Sequence, residues 1–472
     1  MKKLKDISLT SWTLFLIGLV SLLPFILLSF YTVPNLEDYA ESIIPGVWWH
    51  VKFLYLSYDG RFFTSFLFAA VNPLKIESYF LYSCIPLALM FGLLFSFYQL
   101  SLSFISNSKK LAFFFSAILL ILFLNRNPNI PYSLYYMVST YVYIIPSIFF
   151  LLMVSSSYKL IKEKQPKIYV VTFICFSIFA IAGGNELLLI PTLVWFLFLS
   201  YINSRLKAKQ GKELSIFCLA IFCSYFIVFT SPGVNESIDS GSFYEELIIT
   251  FKSLGKSISF TAFHIKRWLS GNYTLYISSL LFIYHLKDKR IVSNLDLTLI
   301  QKLSLASFLI ISIFFTVFPY TWSAREVATT AYTQVFIIPY LFFTLFWFFI
   351  LFMFTSKTNK PQLYQKQGFH LVLLSLLALS FILDKNSNVK TAYEDLWSKD
   401  AQYYKQEVMH NIKNSKYNSK TESTDKEIEL CTLKHRPKSL YSGVYFNTKT
   451  EDFHLEYRLY YDIKKLKIVP CP

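Results

Sequence analysis

The chain has 472 residues, of which 54% are hydrophobic and 19% aromatic, and its mean hydropathy of +0.44 excludes an ordinary water-soluble globular domain. The formal net charge of +16 is spread over short segments between apolar runs, which argues against a nucleic-acid footprint. Six cysteines occur without CxxC or HExxH spacing, so no metal motif is present.

Taken in chain order, apolar stretches recur at 11–31, 78–105, 110–125, 138–156, 168–182, 187–203, 214–231, 273–286, 301–321, 335–355 and 369–383. Their lengths suit helices crossing a hydrocarbon core about 30 Å thick. The alternation of a membrane β-barrel is absent. The expected fold is therefore an all-α polytopic membrane protein with about 11 transmembrane helices over residues 1–383. A shorter apolar segment, 62–72, is read as a helix lying along the interface. The first run is too long for a signal peptide and lacks an A-x-A-like exit, so a retained span is expected.

Charge bias sets the orientation. With Lys2, Lys3 and Lys5 inside, the connections 106–110, 157–167, 204–213, 287–300 and 356–368 also fall inside, and all five are basic. The connections on the other side carry a different pattern: Asn35-Leu36-Glu37-Asp38-Tyr39, Gly60-Arg61, Asn125-Arg126-Asn127, Gly184-Asn185-Glu186, Pro232-Gly233-Val234-Asn235-Glu236 and Arg325-Glu326. An odd number of spans also leaves the tail outside. The spans hold almost no ionisable residue, which argues against a transporter or flippase with charges near the midplane.

Two long outer loops are expected, 32–77 and 232–272. In the second, Leu247, Phe251, Leu254, Ile258, Ile265 and Leu269 recur at helical spacing, while Glu245, Lys252, Lys256 and Lys266 take other faces. His264, Lys266 and Arg267 suit anionic headgroups better than catalysis. Beyond residue 384 the composition becomes polar. A helix is expected over Trp397–Ile412, followed by strands at Glu429–Leu433, Leu440–Phe446 and Leu455–Val469. The region 384–472 thus reads as a small extracytoplasmic α+β appendage, in which Cys431 and Cys471 are able to bridge.

The acidic pair Glu37-Asp38 directly follows the first span. It suits either a helix cap or a base that takes a proton from an attacking hydroxyl. Arg61 and Arg325 offer forks that match phosphate oxygens, or they pair with neighbouring carboxylates. Glu186 and Asn185 lie in a tight turn between two spans, where polar groups face the bundle.

These residues, in this order and on one side, resemble the GT-C superfamily of polytopic glycosyltransferases, within it a bacterial family akin to the O-antigen-modifying glucosyltransferases. The resemblance covers most of the chain: Glu37-Asp38, Trp48 to Gly60-Arg61, Glu186, Pro232-Gly233-Val234-Asn235, Arg325, and in the tail Ala392 to Asp400 and Tyr460-Tyr461-Asp462-Ile463. Many relatives carry two aspartates where this chain has Glu37-Asp38. Val234 also interrupts the Pro-Gly-Asn pattern, and Glu236-Ser237-Ile238 stands where an arginine is common.

The resemblance implies transfer of a hexose from a polyprenyl-phosphate donor to a cell-surface glycan or lipid-linked acceptor, at the outer face of the bacterial cytoplasmic membrane. It implies Asp38 as base with Glu37 as partner or substitute. Arg61, Arg325, Glu186, Asn185 and Asn235 would bind substrate. Some members use a divalent cation, Mg or Mn, for which Glu37, Asp38 and Glu186 are able to supply oxygen ligands; no nucleic acid is implied. An O-antigen polymerase or ligase, also polytopic with large outer loops, is the alternative enzyme class.

Overall fold

The computed structural model describes residues 2–58, 60–104, 109–162, 167–206, 210–233, 243–286, 298–323, 333–355, 367–419, 427–441, 455–461 and 465–469. The protein is mostly helical, and each of the eleven apolar segments forms a helix. These are α1 (Lys2–Ser29), α5 (Tyr79–Phe104), α6 (Lys109–Asn125), α7 (Met137–Lys162), α8 (Ile168–Ala182), α9 (Leu189–Leu206), α10 (Gly211–Phe229), α12 (Tyr273–Leu286), α13 (Leu299–Ser323), α14 (Ile337–Thr355) and α15 (Gln367–Leu383). Between them lie the loop helices α2 (Leu36–Ile43), α3 (Val47–Ser57), α4 (Phe62–Ala70) and α11 (Phe243–Leu269).

Large apolar side chains on the bundle's outside remain uncovered: Phe91 is 72% exposed, Leu197 68% and Phe222 67%. Such a belt would drive aggregation in water but is at home in hydrocarbon. Among the described residues, Tyr79–Ser103, Met137–Ile161, Glu186–Ser204 and Gly211–Phe229 are long and apolar enough to cross a membrane unaided. This protein therefore has the helices of a membrane protein, but only four meet that standard outright rather than eleven. For two of the others the reason is length. Ile168–Ala182 has 15 residues and Tyr273–Leu286 has 14, and at about 1.5 Å per residue neither reaches about 30 Å. A fifth candidate is the pair Leu371–Leu383 and Asn388–Trp397, bent by 64°.

Hydrogen bonds show which helix ends share one end of the bundle. Tyr135, just before α7, donates to Phe25 O of α1 at 3.0 Å, and Asn388, just after α15, donates to Leu124 O of α6 at 2.9 Å. Tyr55 of α3 donates to Ile227 O near the end of α10 at 2.8 Å. Tyr82, near the start of α5, and Val138, at the start of α7, both donate to Asp38, and Asn185, between α8 and α9, donates to Val142 O of α7; the starts of α5, α7 and α9 thus lie with the ends of α1, α6, α8 and α10. At the opposite end, Lys159 of α7 reaches Gln99 of α5 at 3.0 Å.

The segment 62–72 is the short helix expected, packed on α3 and α7. Helix α11 spans the amphipathic region, but its faces are used differently from a simple apolar-inward pattern. Ser253, Ser257, Thr261, His264 and Trp268 are buried and α11 packs on α13, whereas Phe251 and Ile258 are exposed. Small side chains allow two helices to approach closely, which leaves the apolar stripe for lipid. His264 is accordingly not a surface ligand for headgroups. It stacks on Phe336 at 3.8 Å beside Trp268, and burial, reinforced by Arg267, lowers its pKa to about 4.

The tail differs most from expectation. The helix expected over Trp397–Ile412 is α17 (Asp400–Ser419), which starts three residues later and runs seven further; a separate helix, α16 (Asn388–Trp397), precedes it, and Lys399 turns left-handed at φ 63° between the two. Strand β1 covers Glu427–Cys431, a shift of two residues, and pairs in parallel with β2 (Lys465–Val469). The expected strand Leu455–Val469 begins instead as helix α18 (Leu455–Tyr460). Leu440 and Tyr441 donate backbone N–H groups to Pro437 O, making a turn where a strand was expected; residues 442–446 lie outside the described residues. Among the described residues the appendage is thus helical with one two-stranded sheet. Cys471 lies outside the described residues, and the expected bridge to Cys431 with it.

Candidate active site

Pro34 ends the chain's exit from α1, and Asn35 then caps α2. Its side chain accepts from Leu36 N at 2.8 Å, and Asp38, three residues on, accepts from Asn35 N at 2.7 Å, completing a capping box. Asp38 also accepts from Tyr82 Oη of α5 at 2.5 Å and from Val138 N of α7 at 3.1 Å. Its side chain is wholly buried. Burial pushes its pKa to about 7, helped by the neighbouring Glu37 charge and opposed by the three donors. Asp38 therefore ties α2 to two bundle helices.

Glu37, one residue earlier, takes the other face of α2 and is exposed. It accepts from Tyr136 Oη. Burial, together with the charges of Glu37 and Asp38, raises the Tyr136 phenol well above its ordinary value, which keeps it a donor. Beside this contact lies a cavity of about 10 Å³, lined by Thr32, Asn35, Tyr136, Tyr404 and Leu440 among others. It has room for about one water. The expectation of a base in the acidic pair thus meets one exposed carboxylate and one sealed one.

Arg61 and Glu186 come together from loops far apart in the chain. The guanidinium donates Nε to Oε2 at 2.8 Å and Nη2 to Oε1 at 2.6 Å, a fork-to-fork pair that retains 28% and 35% side-chain exposure. Two glycines make the approach feasible. A Cβ on Gly60 would sit 2.5 Å from Val228 O, and one on Gly184 would sit 2.5 Å from Ala180 O. Phe63 N and Thr64 N donate to Gly183 O, fastening the start of α4 to the 183–186 turn. Asn185 is buried within that turn, accepting from Leu187 N and donating to Val142 O, so it braces the turn. Helix α4, which follows Arg61, packs against α2.

A second arginine–carboxylate pair was not assigned from sequence. Arg126, at the end of α6, donates Nε to Asp384 at 2.6 Å and Nη2 to Gly271 O at 2.7 Å, with side-chain exposures of 6% and 0% for the pair. Beside it, Asn125 accepts from Ser387 Oγ and donates to Thr274. The signal available was Asp384, an acidic residue directly after the last apolar run.

Arg325 and Asn235 lie outside the described residues. Glu186 has both oxygens on Arg61, and Asp38 is enclosed by donors, so neither is poised to share a cation with Glu37. Among the described residues no three His, Cys, Asp or Glu side chains converge as a metal-binding group. No protein-family model matches the chain, and no characterised protein is significantly similar to it. The chemistry on offer is an exposed carboxylate on a rigid mount and a half-exposed guanidinium held by a carboxylate, both in the first long loop.

Proposed function

We propose that the chain is a GT-C-type glycosyltransferase of the bacterial cytoplasmic membrane, moving a hexose from a polyprenyl-phosphate sugar to a cell-surface glycan or lipid-linked acceptor. In this reading the apolar bundle sits in the bilayer, with its N-terminus cytoplasmic and its tail extracytoplasmic. The observation that carries the proposal is Glu37: an exposed carboxylate fixed at the polar end of an apolar bundle, with the Arg61–Glu186 pair on the same loop assembly.

Glu37 takes the proton of an acceptor hydroxyl, whose oxygen attacks the anomeric carbon. The carbon–oxygen bond to phosphate breaks, and its electron pair leaves with the polyprenyl phosphate. A single displacement inverts the anomeric centre. Asp38 serves this step by holding α2 rather than by meeting the substrate. Glu186 fixes the plane of the Arg61 guanidinium, and Arg61 with Arg325 balances the charge on the departing phosphate.

The test is transfer by the purified protein in liposomes supplied with polyprenyl-phosphate hexose and envelope glycan acceptors. Release of polyprenyl phosphate together with a hexose mass increment on the acceptor is expected. Arg325→Lys keeps the charge without the fork and should lose much of the activity, and Arg325→Ala nearly all of it. Absence of release across acceptors, or equal mild losses in both variants, counts against the proposal.

A further inference from the structure

The far end of the chain rests on the helix that carries the acidic pair. Helix α18 packs along α2. Tyr39, adjacent to Asp38, is fully buried among three tail rings: Tyr457 at 5.2 Å, Tyr460 at 4.9 Å and Tyr461 at 5.8 Å between centroids. Those rings are themselves fixed. Tyr460 Oη donates to Leu74 O at 2.9 Å, Tyr461 Oη meets Tyr79 Oη at 2.9 Å, and Tyr457 Oη meets Ser415 Oγ of α17 at 3.0 Å. Tyr404 and Leu440, also from the tail, wall the cavity beside Tyr136.

Helix α2 has only eight residues, too few to hold its shape alone. One side is secured by Asp38 through Tyr82 and Val138, and the other by the tail rings around Tyr39. Aromatic groups packed edge to face add orientation as well as burial.

We infer that Tyr457, Tyr460 and Tyr461 form a positioning clamp on α2, so that the tail presents Glu37 to substrate and belongs to the candidate active site. This rests on the reading of Glu37 as the substrate-facing carboxylate, but the clamp can be measured without activity. Hydrogen exchange of the full-length protein in nanodiscs would follow the amides of 36–43 and of 455–461 in wild type, Tyr457→Ala, Tyr457→Phe and the milder Tyr460→Ala, which trims a half-buried ring. With the clamp as described, both alanine variants speed exchange in 36–43 by about tenfold or more. Tyr457→Phe keeps the ring and leaves exchange near the wild-type rate. In a transfer assay the alanine variants should lower kcat with little change in donor KM, because the base is displaced while donor contacts remain.

Faster exchange in 455–461 with none in 36–43 would overturn the clamp, as would no change in either segment. If exchange in 36–43 rises as expected but wild type transfers no hexose, the clamp stands and the glycosyltransferase reading fails.

Discussion

Two arginine–carboxylate pairs stand at the same end of this bundle, built from the same groups in different surroundings. Arg126–Asp384 is almost sealed, and its guanidinium also satisfies Gly271 O. Arg61–Glu186 leaves about a third of each side chain open. A sealed pair joins α6 to the junction between α15 and α16 and has no face left for a ligand. An open pair adds little to stability yet can meet a phosphate. Burial, more than residue type, separates scaffold from candidate chemistry here.

The sharpest way to break that contrast is to remove one partner from each pair. Arg126→Ala strands a buried carboxylate and should cost about 3–5 kcal/mol, seen as a lowered unfolding midpoint in detergent. Replacing both Arg126 and Asp384 by apolar residues of similar size should recover most of it. If Arg126→Ala unfolded no more easily than wild type, the sealed pair would not be the latch its geometry suggests.

Asp38 extends the contrast to a buried carboxylate held by a phenol and two backbone amides. Its pKa is raised to about 7 by burial, with Glu37 adding to the effect against the donors. The folded chain thus holds that proton more tightly than the unfolded chain does. The resulting stability is complete below the ordinary carboxylate value and is lost as pH rises through about 7. The melting-point advantage of wild type over Asp38→Asn should therefore shrink from about pH 4 to about pH 7 and level off above it. A gap that widened over this range would mean that Asp38 is held ionised.

Smaller effects sharpen the open side. Arg61→Ala should change stability by at most about 1 kcal/mol, since exposed pairs are screened by solvent, while transfer falls at least about tenfold. A stability loss as large as that of Arg126→Ala would make both pairs structural. Lys266→Ala should do least, because one exposed lysine near a membrane surface is worth about 1 kcal/mol in lipid binding; vesicle binding and transfer would both report it.

Much of the scaffold was legible in the sequence. Apolar runs long enough for helices gave all eleven helices, and the periodic pattern in 232–272 gave α11. The face that α11 buries was not legible, because Ser253, Ser257 and Thr261 pack by being small rather than apolar. The tail departs from its strand-like composition where apolar residues serve contacts: Tyr457 and Tyr460 lie on helix α18 and Tyr461 just beyond it, all against Tyr39. The acidic pair was visible as a candidate, but adjacent carboxylates cannot be ranked by sequence. Which one is sealed depends on Tyr82 and Val138, contributed by two other helices. Arg126 and Asp384 are 258 residues apart; each stands at the end of an apolar run, but no local pattern couples one to the other.

In the proposed reaction Glu37, and not its buried neighbour, meets the substrate. The most direct test is the single-turnover rate of hexose transfer from polyprenyl-phosphate hexose by Glu37→Gln and Asp38→Asn, each checked for native yield and melting behaviour. Glu37→Gln should lose about two to four orders of magnitude in rate with normal folding. Asp38→Asn should act chiefly on stability and retain transfer in whatever fraction stays folded. Near-native transfer by Glu37→Gln, with Asp38→Asn folded and inactive, would contradict the account.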